Sequence, residues 1–222
     1  MEIAKNTVSA VRQVKDEHVV QIVDKGAKQN VLFIGNSITR HAPKEAIGWS
    51  GNWGMAASCE EKDYVHVVVA GLEEKYGPVN YCTVCGADWE RSYWDSAELE
   101  RLSAARDFGA DIIVCRIGEN IWGSRDKLDS IPLEPHFDHM VKWFNVKNTE
   151  RLVMTDLFWA FDGVDSVIRS VAQKNGYTLV GINDLGAQDA CKALGQFWHD
   201  GVQIHPNDFG MEQIAARILE KL

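Results

Sequence analysis

The chain has 222 residues, of which 45% are hydrophobic and 25% charged, and it carries a formal net charge of -9 at pH 7. This length suits one sizeable domain of ordinary globular composition. The negative charge argues against binding to nucleic acid or to an anionic membrane surface, and no apolar run approaches the ~18 residues of a membrane-spanning helix.

The first 28 residues contain two strand-like runs, VSAVRQV and HVVQIVD, separated by the charged segment KDE. This pattern predicts a β-hairpin or edge extension over residues 1–28, followed by one catalytic domain over residues 29–222. The opening residues have neither the basic start nor the apolar core of a secretory signal. We therefore expect a cytoplasmic protein, or a secreted one if a leader has been removed.

From residue 31 onward, strand-like runs alternate with helical patterns. The runs are continuous in apolar residues, which is typical of parallel strands buried on both faces. Capping boxes formed by Ser58 with Glu61 and by Asp95 with Glu98 indicate the starts of the first two helices. The predicted strands are VLFIG (31–35), VNYCTVCG (79–86), DIIVCRIG (111–118), RLVMTDLF (151–158) and YTLVGI (177–182), with helices between them and a last helix at about 208–222.

This alternation predicts the fold class. It indicates a three-layer α/β/α sandwich of flavodoxin-like type, built on a central, mostly parallel sheet of about five strands. In such sheets ligands bind at the carboxyl ends of the strands. Side chains that follow those ends are therefore the candidates for function.

Several such residues meet this condition. Ser37 lies two residues past the first strand, Gly86 ends the second, and Asn120 follows the third. His205 lies in a loop before the last helix. A nucleophile, a base and polar donors are the groups that acyl transfer requires. A serine after a strand is also a common helix cap, so no single block carries the interpretation.

Four blocks together resemble the SGNH (GDSL-type) hydrolases. They are GNSIT (35–39), with asparagine where many members have aspartate; the glycine at 86; GEN (118–120); and HPNDFG (205–210). They occur in the family's order over most of the chain. The α/β-hydrolase elbow G-x-S-x-G and the phosphate loop G-x-x-x-x-G-K-[ST] are absent. The resemblance implies an SGNH-hydrolase fold and a serine ester hydrolase without a metal or organic cofactor.

The resemblance also implies roles for these residues. Ser37 Oγ would attack an ester carbonyl, and His205 would accept its proton. The backbone N–H groups of Ser37 and Gly86 and the side-chain amide of Asn120 would form the oxyanion hole. The other interpretation of Asn120 is an amide that only orders its loop.

The chain departs from the family pattern before the histidine. The family usually has aspartate three residues earlier, where this chain has Val202, whereas Asp200 lies five residues earlier. Asp200 is therefore the candidate third member of a catalytic triad. The alternative is that Asp200 is a solvated turn residue and a backbone carbonyl holds the imidazole, which leaves a Ser–His dyad.

Tryptophan is unusually frequent, with eight in the chain, and several follow the predicted strand ends. Aromatic faces stack on sugars and pack acyl chains, although ordinary core packing is the alternative for each. We expect a small acyl ester, with acetyl favoured, on a small molecule or a glycan. The alternatives are a non-catalytic or acyl-transferring glycan-binding relative, and a flavodoxin-like module that binds a phosphate or cofactor at a helix N-terminus. The expected substrate-binding residues are Trp53, Trp89, Glu90 and Trp122.

The remaining candidates for chemistry are cysteines and histidines. Five cysteines, an odd number, do not indicate a disulfide framework. Cys82 and Cys85 form a CxxC motif inside a predicted strand without a second pair, so we expect buried free thiols and no metal site. His41 follows Ser37 closely and either lines the site or lies in a solvated loop.

Overall fold

A computed structural model describes residues 19–222. Its strands form one six-stranded sheet in the order β1-β3-β2-β4-β5-β6. The edge strand β1 pairs antiparallel with β3, and all other neighbours are parallel. The strands are β1 (Val20–Val23), β2 (Gln29–Gly35), β3 (Val79–Cys85), β4 (Ile112–Cys115), β5 (Leu152–Thr155) and β6 (Thr178–Val180).

Helices cover both faces of this sheet. The helices α1 (Tyr64–Tyr76) and α8 (Asp208–Leu219) share a buried cluster with one face. The longer helices of the other face are α5 (Leu133–Phe144) and α6 (Asp162–Asn175). Shorter helices are α2 (Ala87–Arg91), α3 (Ala97–Glu100), α4 (Ser103–Asp107) and α7 (Asp200–Gln203), with 3₁₀ segments at Glu45–Ile47, Glu60–Lys62, Glu119–Lys127 and Asp189–Cys191.

The central strand β2 explains why the core has two halves. Val31 and Phe33 belong to the cluster with α1 and α8, whereas Leu32 and Ile34 belong to the cluster with α5 and α6. Side chains alternate between the faces of a strand, so a continuous apolar run serves both layers. The predicted three-layer sandwich with a mostly parallel sheet is confirmed, with six strands rather than about five.

The sixth strand is the second arm of the predicted N-terminal hairpin. Strand β1 lies within HVVQIVD and pairs with β3, so that Val20 lies opposite Val84. The first predicted arm, VSAVRQV, lies outside the described residues.

The predicted capping box at Ser58 and Glu61 is wrong. Helix α1 begins at Tyr64, and its N-cap is Asp63, whose carboxylate accepts the backbone N–H of His66 at 2.8 Å. Ser58 instead donates its hydroxyl to Asp208 at 2.8 Å, a contact across 150 residues. A local pattern cannot distinguish a cap from a long-range contact made by the same residue types.

The second predicted helix also differs. The stretch from 95 to 108 forms two short helices, α3 and α4, separated at Arg101 and Leu102. Asp95 accepts the backbone N–H of Ala97 at 2.9 Å, so this aspartate does mark a helix start. Within residues 19–222, no helix is long and apolar enough to cross a membrane.

Candidate active site

The turn after β2 presents Ser37. The backbone N–H of Thr39 donates to Asn36 O at 2.9 Å, which closes the turn directly beyond Gly35. A Cβ at Gly35 would lie 1.7 Å from Thr39 Oγ1 and 2.9 Å from Arg116 O. Only glycine fits between this turn and the adjoining strand end. The GNSIT block therefore places a half-buried serine at the carboxyl edge of the sheet, as predicted.

The loop before α8 brings His205 to this serine. Ser37 Oγ lies 2.9 Å from His205 Nε2, although the two residues are 168 positions apart. Asn207 secures the loop because its amide nitrogen donates to Ala190 O at 2.9 Å and to Lys192 O at 2.8 Å. Asn207 also caps α8 by accepting the backbone N–H of Gly210. The HPNDFG block is thus the framework that holds the histidine.

The third position of the expected triad is occupied by a backbone carbonyl. His205 Nδ1 lies 2.6 Å from Gly201 O, in the short helix α7. Asp200 is the exposed first residue of that helix, and its carboxylate accepts from Gln203 Nε2 at 3.4 Å. The prediction that Asp200 contacts His205 is therefore wrong. Asp200 lies five residues before the histidine rather than the family's three, and at that position its side chain is exposed. The geometry is that of the Ser–His dyad alternative.

His205 is held as a neutral base. Burial disfavours its protonated form and lowers the pKa to about 4, although the bond to the Gly201 carbonyl acts in the opposite direction. The ring of Trp159 packs edge-on against the imidazole, with ring centroids 4.9 Å apart. Trp159 Nε1 donates to Ile204 O at 3.2 Å, which fixes the indole. Sequence reasoning missed Trp159, although it follows the end of β5 and so meets the rule that found Ser37.

The two predicted oxyanion donors beyond Ser37 have different surroundings. Gly86 N–H donates to Gly35 O at 2.6 Å and continues the β2–β3 ladder. Because this N–H already has a backbone partner, the prediction that it donates to the oxyanion is wrong. A Cβ at this glycine would lie 2.7 Å from Ile117 Cδ1, which explains why glycine occurs there. Asn120 lines the cavity in front of Ser37, as its predicted role requires.

A buried polar network lies behind Ser37 and Asn120. The carboxylate of Glu90 is fully buried and accepts from Asn36, Gly118 and Asn120. Arg116 is also fully buried; it donates to Glu119 and, at 2.5 Å, to Asn36 Oδ1. Glu90 was expected to bind substrate. That expectation is wrong, because this carboxylate faces the network rather than solvent.

The predicted substrate-binding tryptophans do not line the cavity. Trp89 is buried against Phe137, with ring centroids 5.7 Å apart. Trp53 packs against Trp49 and donates its indole N–H to Ala57 O at 2.9 Å. Trp122 is 56% exposed, but its ring packs on Phe161. Ordinary core packing, rather than substrate binding, is therefore the role of Trp53 and Trp89.

An open cavity of about 940 Å³ adjoins Ser37 and His205. Its wall combines apolar side chains with Lys44, Asp88 and Arg91. His41 also lines it, which settles the choice between site and solvated loop, and burial lowers the pKa of this imidazole. The apolar wall residues are Val19, Ala42, Pro43, Ile47, Met55, Cys85, Ala87 and Val202.

The metal-ligating side chains and the thiols of the described part of the chain are arranged as follows. Residues 19–222 contain no group of three or more His, Cys, Asp or Glu side chains arranged to hold a metal ion. All five cysteines are free thiols. Burial raises the pKa of Cys82 to about 12 and that of Cys85 to about 11, so neither is a thiolate at neutral pH.

No protein-family model matches this chain, and no curated protein matches it. Solved structures do resemble it. A lipase/acylhydrolase from Enterococcus faecalis is 14% identical with a TM-score of 0.53, covering 87% of this chain and 94% of that one. A GDSL-like lipase from Parabacteroides merdae is 16% identical with a TM-score of 0.55, at 87% and 94% coverage.

An extracellular lipase from Streptomyces rimosus is 12% identical with a TM-score of 0.51, covering 86% of this chain and 98% of its own. Likeness at this level of identity concerns the fold. The chain has the fold of the SGNH (GDSL-type) hydrolases, as the four sequence blocks predicted. The likeness in fold therefore holds at 12% to 16% sequence identity.

Proposed function

We propose that the protein is a serine ester hydrolase that uses Ser37 as nucleophile and His205 as general base. The observation that carries this proposal is the 2.9 Å contact between Ser37 Oγ and His205 Nε2 at the carboxyl edge of the sheet. A nucleophile within hydrogen-bond reach of a base, with the base oriented by a third group, is the pattern of activated hydroxyls. The fold shared with lipases and acylhydrolases supports the same conclusion.

The reaction follows from this geometry. Ser37 Oγ attacks the ester carbonyl carbon while its proton moves to His205 Nε2. The Gly201 carbonyl, 2.6 Å from Nδ1, keeps the proton of the neutral ring on Nδ1, so that Nε2 is free to accept. The tetrahedral intermediate then collapses, the alcohol leaves with the proton from Nε2, and water releases the acid by the same steps in reverse.

Asn120 is the proposed donor to the oxyanion. Its side chain lines the cavity beside Ser37. Ser37 N–H remains the second proposed donor. Loss of one oxyanion donor typically costs ~10²–10³ in kcat, so each of the two proposed donors is expected to contribute substantially to the rate.

For the substrate we propose a small acyl ester, acetyl included, whose alcohol part occupies the cavity. A cavity of about 940 Å³ is large enough for a drug-sized alcohol. Its wall is largely apolar, with Lys44, Asp88 and Arg91 among the polar groups. The carbohydrate expectation depended on tryptophans that face elsewhere, so a substrate of mixed apolar and polar character has the better support. Transfer of the acyl group to a second alcohol in place of water is the candidate alternative.

Ser37→Ala tests this function directly. We expect hydrolysis of p-nitrophenyl acetate to fall to the uncatalysed background, because Ser37 supplies the only hydroxyl that contacts His205 Nε2 within residues 19–222. The melting temperature should change little, since the lost hydroxyl is half-buried and the turn is closed by backbone bonds. Wild-type activity in a correctly folded Ser37→Ala protein would refute the assignment.

A further inference from the structure

The carboxylate of Glu90 lies directly behind Asn120 and has an unusual set of partners. Oε2 accepts from Asn120 Nδ2 at 2.5 Å, and Oε1 accepts the backbone N–H groups of Asn120 at 3.1 Å and Gly118 at 2.7 Å. Oε1 also accepts from Asn36 Nδ2 at 3.0 Å. Burial and the nearby Glu119 raise the pKa of this carboxyl, whereas its hydrogen bonds from Asn36 and Asn120 act in the opposite direction. Every partner is a donor, which is the pattern of an ionised carboxylate.

The next residue of helix α2, Arg91, contacts the other end of the same amide. Arg91 NH2 donates to Asn120 Oδ1 at 3.3 Å. A guanidinium can only donate and a carboxylate can only accept, so the two side chains together define which end of the amide is nitrogen. Two consecutive residues thus act on one side chain from opposite ends.

The contact with Glu90 engages one N–H of the Asn120 amide and leaves the second one available. The amide nitrogen has two N–H bonds, and Glu90 accepts only one of them. Asn120 itself lines the cavity beside Ser37, whereas Glu90 is fully buried and has no access to it. An amide turned by 180° would present its oxygen instead, which would repel a developing oxyanion.

We propose that Glu90, assisted by Arg91, is a positioning residue that holds the Asn120 amide with an N–H directed at the oxyanion. This inference rests on the proposed esterase function. Donors that are fixed before the reaction contribute most to transition-state stabilisation, because they need no reorganisation as charge develops. The short helix α2 therefore serves catalysis without contacting the substrate through Glu90.

Glu90→Gln is the informative substitution. Glutamine has the same size, and its oxygen can still accept the backbone N–H groups of Gly118 and Asn120. Its NH2 group would then face Asn120 Nδ2, which places two donors together and forces the Asn120 amide to turn. We expect kcat for p-nitrophenyl acetate to fall at least ~10-fold with KM within about threefold, because the lost interaction belongs to the transition state.

A double-mutant cycle separates positioning from general damage. If Glu90 acts through Asn120, then Glu90→Gln combined with Asn120→Ala should be no slower than Asn120→Ala alone, within about twofold. The control is Glu134→Gln in α5, a half-buried carboxylate that accepts from Ser170 Oγ at 3.1 Å. Its kcat should equal that of the wild type.

The outcomes are distinct. Esterase activity that is normal in Glu90→Gln, or losses that multiply with those of Asn120→Ala, would overturn the positioning role alone. A wild-type protein without esterase activity would overturn the proposed function and this inference together. If Glu90→Gln does not fold, a substitution of the exposed Arg91 is the second test. Arg91→Met should lower kcat at least ~3-fold in the wild-type background, and it should leave kcat unchanged in the Asn120→Ala background. An unchanged kcat in Arg91→Met would then contradict the proposal.

Discussion

His205 is 8% exposed, and the surroundings of its imidazole determine the pH range in which it can act as a base. Burial lowers its pKa to about 4, from a usual value of 6.5. The neutral ring therefore persists through mildly acidic conditions. In the proposed reaction the cationic ring would contact the Gly201 carbonyl and, among the described residues, no carboxylate, so the site would depend more on the oxyanion donors than a full triad does.

The pH dependence of kcat/KM follows from this lowered pKa. The active form is the neutral imidazole, so activity should remain nearly constant down to about pH 5 and decline only near pH 4. The measurement is kcat/KM from pH 3.5 to 8, with circular dichroism at each pH to verify folding. A midpoint near 6.5 would show that His205 is not held as described.

The same shift affects stability. Between about pH 6.5 and 4 the unfolded chain binds a proton on His205 that the folded protein does not bind. The contribution of His205 therefore makes the folded state less stable as the pH falls through that window. Loss of activity in this range must be separated from unfolding, which is why the folding control is needed.

Single residues were predictable from sequence where a motif marks them. Ser37, Asn120 and His205 each belong to a block with characteristic neighbours, and the structure brings Ser37 and His205 into contact. Glu90 belongs to no block, and its role is defined by a buried contact with an element that follows 28 residues later. Contacts of this kind depend on how the layers pack, which no local pattern encodes.

At the scale of elements, helix α7 explains how His205 is oriented without an aspartate three residues before it. His199 caps this helix by accepting the backbone N–H of Gly201 at 3.1 Å. The His205 backbone N–H donates to Val202 O at 3.0 Å, and the Gly201 carbonyl receives the imidazole N–H instead. One helical turn therefore replaces the carboxylate as the orienting group.

Asp200→Asn tests this replacement. Because the carboxylate is exposed and contacts Gln203 rather than His205, we expect kcat within about twofold of wild type. A true triad aspartate would cost on the order of 10⁴-fold when changed to asparagine. His205→Ala, measured in parallel, should lose nearly all activity. A fall in kcat of ~100-fold or more in Asp200→Asn would instead support a Ser–His–Asp triad.

The strands were predictable because their apolar runs are continuous. Each of the five predicted runs overlaps one strand of the sheet. Helix starts were less predictable. Ser58 has the composition of a cap but contacts Asp208, and Asp63 takes its place. The residue types that cap helices also make long-range polar contacts, so tertiary structure decides between the two uses.

At the scale of the whole molecule, the parallel sheet is what assembles the site. Ser37 follows β2, the Glu90 helix follows β3, Asn120 follows β4 and Trp159 follows β5. The carboxyl ends of these neighbouring strands lie at one edge, so residues far apart in sequence become neighbours. Solved structures share the fold of this chain at 12% to 16% identity, which shows how little of the sequence the fold requires.

The most direct test of the central claim is covalent labelling by a serine-reactive alkyl phosphonate, followed by peptide mass spectrometry. The phosphonate adduct mimics the tetrahedral intermediate, and the reagent reacts fastest with a hydroxyl that a neighbouring base activates. We predict one adduct per chain on Ser37, no adduct in Ser37→Ala, and much slower labelling in His205→Ala. An adduct on another residue, or none at Ser37 in folded wild-type protein, would contradict the account.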